Sequence, residues 1–212
     1  MRENLAEDYA APLGGWSPRV ILDVGANVGA AATMLMDRWP GVETRCYEPE
    51  ANNYRALKRA TAPYPQASAH NVALWHKSGT FPLYRGINNS GEWSLYLGVE
   101  QGPDSTTINV IDAYDELYPH LSDSYLKLDT EGAELAILSR IAQDTDLATI
   151  GVIALEWHRA ADRLVIDNQL SKLGFILYAG HISAPHRGVF CYGQRRVFGL
   201  GALDYIDREA AK

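Results

Sequence analysis

The sequence predicts an α/β fold: a doubly wound, seven-stranded and mostly parallel sheet with helices on both faces. Short apolar runs alternate with helical segments along most of the chain, and the first apolar run stops abruptly at a glycine-rich turn. Two further runs follow each other closely near the carboxyl terminus. Alternating strands and helices favour parallel pairing, whereas two consecutive strands indicate an antiparallel pair at the end of the sheet.

Three strands and two helices are predicted in the first half of the chain. The strands are short runs of apolar and β-branched residues, and Pro40-Gly41 ends the first helix. Pro49 suits the first turn of the second helix. Glycine, asparagine and serine then indicate a loop with short strands. In chain order, the elements are strand 19–24, helix 30–38, strand 44–47, helix 49–60, strand 67–74 and loop 76–101.

The second half repeats the alternation and then departs from it. Leu135, Leu138 and Ile141 have helical spacing, and Gly174 ends the last predicted helix. In chain order, the elements are a strand-to-helix piece at 107–118, strand 124–129, helix 131–141, strand 150–155, helix 159–173 and an antiparallel pair at 175–178 and 188–192. Residues 1–212 show no repeat or linker, which predicts one domain.

Composition argues against some classes of binding partner and indicates a cellular compartment. The net charge of −7 and the pI near 5.3 disfavour a nucleic-acid binder, which needs a basic face. A run of eighteen apolar residues is missing, so we expect no membrane span. Cys46 and Cys191 are lone thiols, and the first residues lack the apolar core of a signal peptide, so we expect a cytoplasmic protein.

The segment Asp23-Val24-Gly25-Ala26-Asn27-Val28-Gly29 joins the first strand to the first helix. Glycines at such a junction let the backbone turn tightly and approach a ligand. A dinucleotide fingerprint needs glycines at G-x-G-x-x-G spacing, which this segment lacks. An acidic residue at its start repels a pyrophosphate and attracts a cationic group. The loop therefore favours a nucleoside ligand without phosphates over NAD.

Glu48 follows the second predicted strand, within Tyr47-Glu48-Pro49-Glu50. Doubly wound folds place a carboxylate there to accept hydrogen bonds from ribose hydroxyls. A structural alternative is an acidic residue stabilised by the helix dipole. The glycine-rich loop upstream favours the ribose role.

Four motifs in order give a family resemblance: D-V-G-A-N-V-G from Asp23, Y-E-P from Tyr47, N-V-A-L from Asn71, and K-L-D-T-E-G-A-E from Lys127. Together they resemble the FkbM family of S-adenosylmethionine-dependent O-methyltransferases. The resemblance implies a class I, Rossmann-like methyltransferase fold. Short members of the family include sugar methyltransferases of the mycobacterial methylmannose polysaccharide type.

The resemblance also implies roles for the residues in these motifs. One group would hold the methionine end of S-adenosylmethionine: Asp23, Gly25, Asn27 and Gly29. Glu48 would hold the ribose, and Asn71 and Val72 would flank the adenine. For Asn71, an ordinary turn residue is an equally good interpretation.

Polar residues lie at the ends of two predicted strands that we expect to be neighbours. Asp129 lies at the end of the fourth strand, and Glu156-Trp157-His158 at the end of the fifth strand. Methyl transfer to a hydroxyl requires removal of a proton, and histidine is the usual base near neutral pH. His158 is therefore the predicted base, with Asp129 as a second catalytic residue. Asp129 and Glu156 also offer the oxygen ligands that Mg²⁺ prefers. A bland alternative is that His158 caps the following helix.

Trp93, Ser94 and Glu131 are predicted to face the acceptor. Exposed aromatic residues stack on sugar rings, and long polar loops often carry function. Alternatively, Trp93 packs in an edge hairpin, and Glu131 merely begins a helix.

The predicted function is O-methylation of a hydroxyl of a sugar or glycosylated metabolite, so the expected partner is a small-molecule or oligosaccharide acceptor. The alternatives are a peptide, lipid or polyketide hydroxyl, a nucleoside-binding module without turnover, and an NAD-dependent oxidoreductase. Dimerisation through an edge strand or through the N-terminal segment is a further hypothesis.

Overall fold

The computed structural model describes residues 9, 15–86, 93–95, 101–144 and 147–199, without the side chains of residues 101–103 and 144. Within this part of the chain, eleven strands form two sheets, and five α-helices accompany them. The strands are β1 (Val20–Val24), β2 (Glu43–Tyr47), β3 (Ala67–His70), β4 (Ala73–Trp75), β5 (Gly79–Gly86), β6 (Trp93–Ser94), β7 (Gln101–Asp112), β8 (Tyr125–Leu128), β9 (Val152–Trp157), β10 (Phe175–Ala184) and β11 (Arg187–Gln194). The helices are α1 (Ala30–Arg38), α2 (Ala51–Thr61), α3 (Ala113–Leu117), α4 (Glu134–Asp144) and α5 (Ala160–Lys172).

The main sheet has seven strands in the order β10-β11-β9-β8-β1-β2-β3. Strands β3, β2, β1, β8 and β9 run parallel, while β11 is antiparallel to both β9 and β10. The predicted sheet, including its antiparallel end, is therefore confirmed. All five residues of β1 are buried, as expected for a central parallel strand covered on both faces.

Alternate residues of the central strands pack against different helices. Ile21 belongs to a cluster with Leu35 of α1, whereas Leu22 belongs to a cluster with Ile137 of α4 and Ile166 of α5. The side-chain period of two in a strand explains why neighbours in sequence serve opposite layers. The sheet is thus sandwiched between helices, and its carboxyl edge is left for a cleft.

A second, four-stranded sheet has the order β4-β7-β5-β6 and corrects two predictions. The predicted third strand at 67–74 is two strands, because the chain leaves the main sheet after His70 and joins the small sheet at Ala73. The stretch 76–101, predicted as a loop with short strands, contains the two-residue strand β6 and the longer, eight-residue strand β5. Gly79, Pro82 and Gly86 within that strand gave it the composition of a loop.

Two helices begin later than predicted, each for a local reason. Helix α2 begins at Ala51 because the Glu50 side chain caps it, accepting N–H groups of Asn52 and Asn53 at 2.8 Å each. Helix α4 begins at Glu134 because Glu131 and Gly132 have positive φ angles of 54° and 108°, which exclude an α-helical turn.

Among the helices of the described residues, none has both the length and the apolar character needed to cross a membrane.

Candidate functional site

A cleft of about 620 Å³, counting its open mouth, lies at the carboxyl edge of the main sheet. Its walls come from the ends of β1, β2 and β8, from the connection between β3 and β4, and from the small sheet. We call Gly25, Asn27, Glu48 and Val72, which line the cleft, its Glu48 end. The acidic end consists of Asp129 and Glu131, which also line the cleft, together with Glu156 and His158, which lie against them.

Backbone geometry shapes the loop after β1. The N–H groups of Gly25 and Ala26 both donate to the carbonyl of Tyr47 at 3.0 Å, which ties the loop to the end of β2. Gly25 has a φ of 79°, and a Cβ there would stand 1.8 Å from the carbonyl oxygen of Asp129. Glycine is required at position 25 because the backbones after β1 and β8 cross there.

Gly29 serves packing, not the cleft. It caps α1 with a φ of 91°, and a Cβ there would lie 3.0 Å from Leu57 of α2. Gly29 is also absent from the described walls of the cleft. The two glycines are therefore required for different reasons. Gly25 lets the backbones after β1 and β8 cross, and Gly29 lets helices α1 and α2 pack closely.

Glu48 is the buried carboxylate of the Glu48 end. Its Oε2 accepts the N–H of Asn27 at 2.9 Å, and its Oε1 accepts the N–H of Glu50 at 2.8 Å. Only 5% of the residue is exposed, yet it lines the cleft. Burial raises the pKa of Glu48 to about 7, although the two backbone N–H groups oppose this. Each oxygen keeps a lone pair with which to accept a ligand hydroxyl.

Asn71 and Val72 lie in the connection between β3 and β4 and differ in orientation. The Asn71 amide donates to the carbonyls of Glu48 and Pro49, at 2.9 and 3.0 Å, so it braces the turn after β2. Val72 lines the cleft, whereas Asn71 is exposed and is not among its described walls. Of the two residues expected at the adenine, the geometry favours only Val72.

A buried lysine connects the carboxylates that end β1 and follow β8. The Nζ of Lys127 donates to the Gly25 carbonyl at 2.7 Å and lies 3.0 Å from Asp23 Oδ1 and 3.5 Å from Asp129 Oδ2. Burial alone would lower the pKa of Lys127, but Asp23 and Asp129 outweigh it and raise the pKa. Lys127 is therefore a fixed cation that holds the loop of Gly25 against β8.

The residues after Asp129 form a rigid turn around one carboxylate. Glu134 Oε1 accepts the N–H groups of Thr130 and Gly132, at 2.8 and 3.1 Å. The same oxygen lies 3.2 Å from Nδ1 of His158, whose Nε2 is 3.1 Å from Glu131. These contacts hold Glu131 at its positive φ, and such outliers persist where the surroundings over-determine them. Glu131 thereby reaches the cleft.

Neighbouring carboxylates make His158 a cation. Burial would lower its pKa, but the hydrogen bonds and charges of Glu131 and Glu134 raise the pKa of His158 to about 11. Near neutral pH the imidazole is protonated, with Nδ1 hydrogen-bonded to Glu134 and Nε2 3.1 Å from Glu131. This state does not suit the predicted role of proton acceptor.

Glu156 and Arg187 complete the acidic end. Arg187, at the start of β11, donates to Glu156 and lies 3.7 Å from Glu131. Burial and the charge of Asp129 raise the pKa of Glu156 to about 7, although Arg187 and His158 oppose this. Potential ligand atoms of Asp129, Glu156 and His158 all lie within 4.8 Å of one another. The expected convergence of β8 and β9 is therefore present in the geometry.

The small sheet is joined to the acidic end through Ser94. Its hydroxyl donates to the Glu131 carbonyl at 2.7 Å, and the neighbouring Trp93 lines the cleft. Residues 88–92 of the same predicted loop lie outside the described part of the chain. Trp93 and Glu131 thus line the same cleft. Ser94 connects the two regions by binding the backbone carbonyl of Glu131.

A family model, the methyltransferase FkbM domain, matches residues 23–177, well over half of the chain. The chain belongs to the FkbM methyltransferase family. No curated protein sequence matches it. S-adenosylmethionine is the cofactor of this family.

Solved methyltransferase structures were also compared with this chain. Sp1610 of Streptococcus pneumoniae, a candidate tRNA methyltransferase, has a TM-score of 0.50 at 14% identity, covering 92% of this chain and 71% of its own. A precorrin-6y C5,15-methyltransferase from Geobacter metallireducens has a TM-score of 0.49 at 8% identity, covering 90% and 84%. The identity to Sp1610 is low, so that likeness concerns the fold alone.

Three residues beside the cleft of this FkbM methyltransferase were given no role in the sequence analysis. Lys127 carried a signal, since a lone charged residue inside a buried strand indicates a buried ion pair. Arg187 and Tyr9 carried none, because both reach the site from parts of the chain far from its motifs. The hydroxyl of Tyr9 donates to Asp129 Oδ2 at 3.2 Å.

Proposed function

We propose that this chain transfers the methyl group of S-adenosylmethionine to a hydroxyl oxygen of a sugar or glycosylated metabolite. The observation that carries the proposal is that one cleft combines two chemically different ends. A buried carboxylate suited to ribose lies at one end, and an acidic cluster beside Trp93 lies at the other. Carboxylates with an aromatic side chain suit an uncharged acceptor rich in hydroxyls.

The residues present fit the cofactor. Glu48 offers two partly used oxygens for the ribose hydroxyls, and Val72 with Leu74 offers an apolar wall for the base. At the acidic end, five carboxyl groups face three cations: Asp23, Asp129, Glu131, Glu134 and Glu156 against Lys127, His158 and Arg187. The surplus of negative charge suits the ammonium and sulfonium groups of the cofactor. When bound, S-adenosylmethionine supplies an electrophilic methyl group.

We assign the general base to Glu131 in place of His158. Glu131 lines the cleft, and burial raises its pKa, which makes its carboxylate a better proton acceptor. His158 and Arg187, which are not among the described walls of the cleft, then orient this carboxylate. Trp93 would stack on the acceptor ring, and the hydroxyl proton would pass to Glu131.

A divalent cation is an alternative means of activating the acceptor hydroxyl. Asp129 and Glu156 are hard oxygen ligands of the kind that Mg²⁺ prefers. The donor set fits a cation only if Arg187 releases Glu156 and His158 loses a proton, because both of these cations now lie against Glu156. The competition makes Mg²⁺ dependence a separate question from cofactor binding.

The test combines calorimetry with transfer of a tritiated methyl group. We expect binding of S-adenosylmethionine and S-adenosylhomocysteine but not of NAD, and label transfer to methyl glycosides or oligosaccharides. Peptides, lipids and tRNA serve as competing acceptors. Label recovered only on those, or on nitrogen or carbon, contradicts the proposal. Binding without transfer to any acceptor indicates a module without turnover.

Two further arms of this assay separate the activation mechanisms. With a carboxylate as base, the rate rises with pH while that group loses its proton and then levels off. With His158 as base, it would keep rising toward pH 11. Loss of transfer in EDTA, restored by Mg²⁺, would support a cation at Asp129 and Glu156, whereas full activity in EDTA would exclude a requirement for one.

A further inference from the structure

The Asp129 carboxylate is held by two groups, and one of them comes from the amino-terminal part of the chain. Tyr9 lies 120 positions before Asp129 and precedes the segment matched by the family model, which begins at residue 23. Its hydroxyl donates to Asp129 Oδ2 at 3.2 Å. Only 4% of Tyr9 is exposed, whereas the Asp129 side chain is 24% exposed.

The ring of Tyr9 contacts the second group that holds Asp129. The Nζ of Lys127 lies 5.5 Å from the centre of the Tyr9 ring, within the range of a cation–π interaction, and 3.5 Å from Asp129 Oδ2. Tyr9 also belongs to the hydrophobic cluster of Ile21 and Leu35 on the α1 face of the sheet. Its ring is therefore anchored independently of its hydroxyl.

We propose that Tyr9 is a positioning residue that orients the Asp129 carboxylate for the cationic methionine end of S-adenosylmethionine. The Tyr9 hydroxyl and the Lys127 ammonium act on the same oxygen, Oδ2, which fixes the rotation of the carboxylate. Oδ1 is then the oxygen presented to a ligand in the cleft, beside the loop of Gly25. The inference rests on the proposed function, because it takes Asp129 to contact the cofactor.

Two hydrogen-bonded tyrosines allow a matched experiment. Tyr9→Phe removes the hydroxyl and keeps the ring over Lys127. Tyr64→Phe makes the same change at an exposed site, where the hydroxyl donates to Asp37 at 2.8 Å. Calorimetry with S-adenosylmethionine on the full chain compares these variants with Asp129→Asn and with the double variant Tyr9→Phe/Asp129→Asn. The double-mutant cycle isolates the coupling of Tyr9 to Asp129.

We expect Tyr9→Phe to raise the Kd about five- to tenfold, since one hydrogen bond to a charged group is lost. Asp129→Asn should raise the Kd at least as much, and the double variant should match Asp129→Asn within about twofold. Tyr64→Phe should leave the Kd unchanged. Thermal unfolding with saturating cofactor shows whether each variant is folded, since a bound ligand stabilises only the native state.

The outcomes separate the inference from the proposed function. If the wild-type chain does not bind S-adenosylmethionine, the proposed function itself is wrong. If Asp129→Asn weakens binding but Tyr9→Phe does not, Tyr9 has no positioning role and the proposed function stands. Fold-changes that multiply in the double variant also overturn the inference, because Tyr9 would then act independently of Asp129.

Discussion

The two ends of the cleft are built by different means. At the Glu48 end, backbone groups and turns fix the wall: Glu48 accepts two backbone N–H groups, and Gly25 donates its own to Tyr47. At the acidic end, charged side chains from β8, β9 and β11 fix one another. A site held by the backbone depends on a few neighbouring residues, whereas a site held by side chains depends on partners from distant segments.

Gly25 should give the largest effect, because it tests the backbone-built end directly. We expect Gly25→Ala to lower the free energy of unfolding by about 3–5 kcal/mol, because the added Cβ overpacks the site and alanine is unfavourable at a positive φ. The physical cause is the Cβ position 1.8 Å from the Asp129 carbonyl. Urea denaturation measures the loss, and calorimetry with S-adenosylhomocysteine should show no binding.

Gly41 is the matched control for that substitution. It has a φ of 83°, close to the 79° of Gly25, but nothing lies within 4 Å of a Cβ built there. Gly41→Ala should therefore cost only the conformational term of about 1–2 kcal/mol and leave cofactor affinity unchanged. Equal losses at both positions would mean that the strand crossing at Gly25 contributes nothing.

Glu48 should give the next largest effect, now on affinity more than on stability. We expect Glu48→Gln to raise the Kd for S-adenosylhomocysteine about ten- to a hundredfold, because charge-assisted bonds to the ribose are lost. Glu50→Gln is the control, since Glu50 is also buried and accepts two backbone N–H groups, but at the cap of α2. Its loss should cost about 1 kcal/mol of stability and leave affinity within about twofold.

The pH dependence sharpens the Glu48 result. With the pKa of Glu48 raised to about 7, the carboxylate that accepts the ribose hydroxyls is fully formed only above neutral pH. Affinity should therefore fall as the pH drops through 7, and Glu48→Gln should remove this dependence. A wild-type affinity that stays constant between pH 6 and 8 would argue against a ribose role for Glu48.

The same contrast explains what the sequence could predict. The turn after β1, the carboxylate after β2 and the meeting of Asp129 with Glu156 follow from local motifs and parallel topology. The protonated state of His158 does not, because it depends on Glu131 and Glu134 folding back beneath it. The small sheet was missed because the chain leaves the main sheet at a connection of two residues, and the paired residues of β4 and β7 lie 37 positions apart in the sequence, as Ala73 and Val110 do.

Asn71 should give the smallest effect. Its substitution tests whether this side chain stabilises the turn after β2 or contacts the ligand. Its amide holds the carbonyls of Glu48 and Pro49, so Asn71→Ala should lower the free energy of unfolding by about 1–2 kcal/mol for two lost hydrogen bonds. The Kd for S-adenosylhomocysteine should change less than about threefold, since Glu48 keeps both of its backbone donors. Thermal unfolding and calorimetry measure the two quantities on the same variant. A tenfold loss of affinity with unchanged stability would instead mean that Asn71 contacts the adenine, and that the backbone-built end also relies on an exposed side chain.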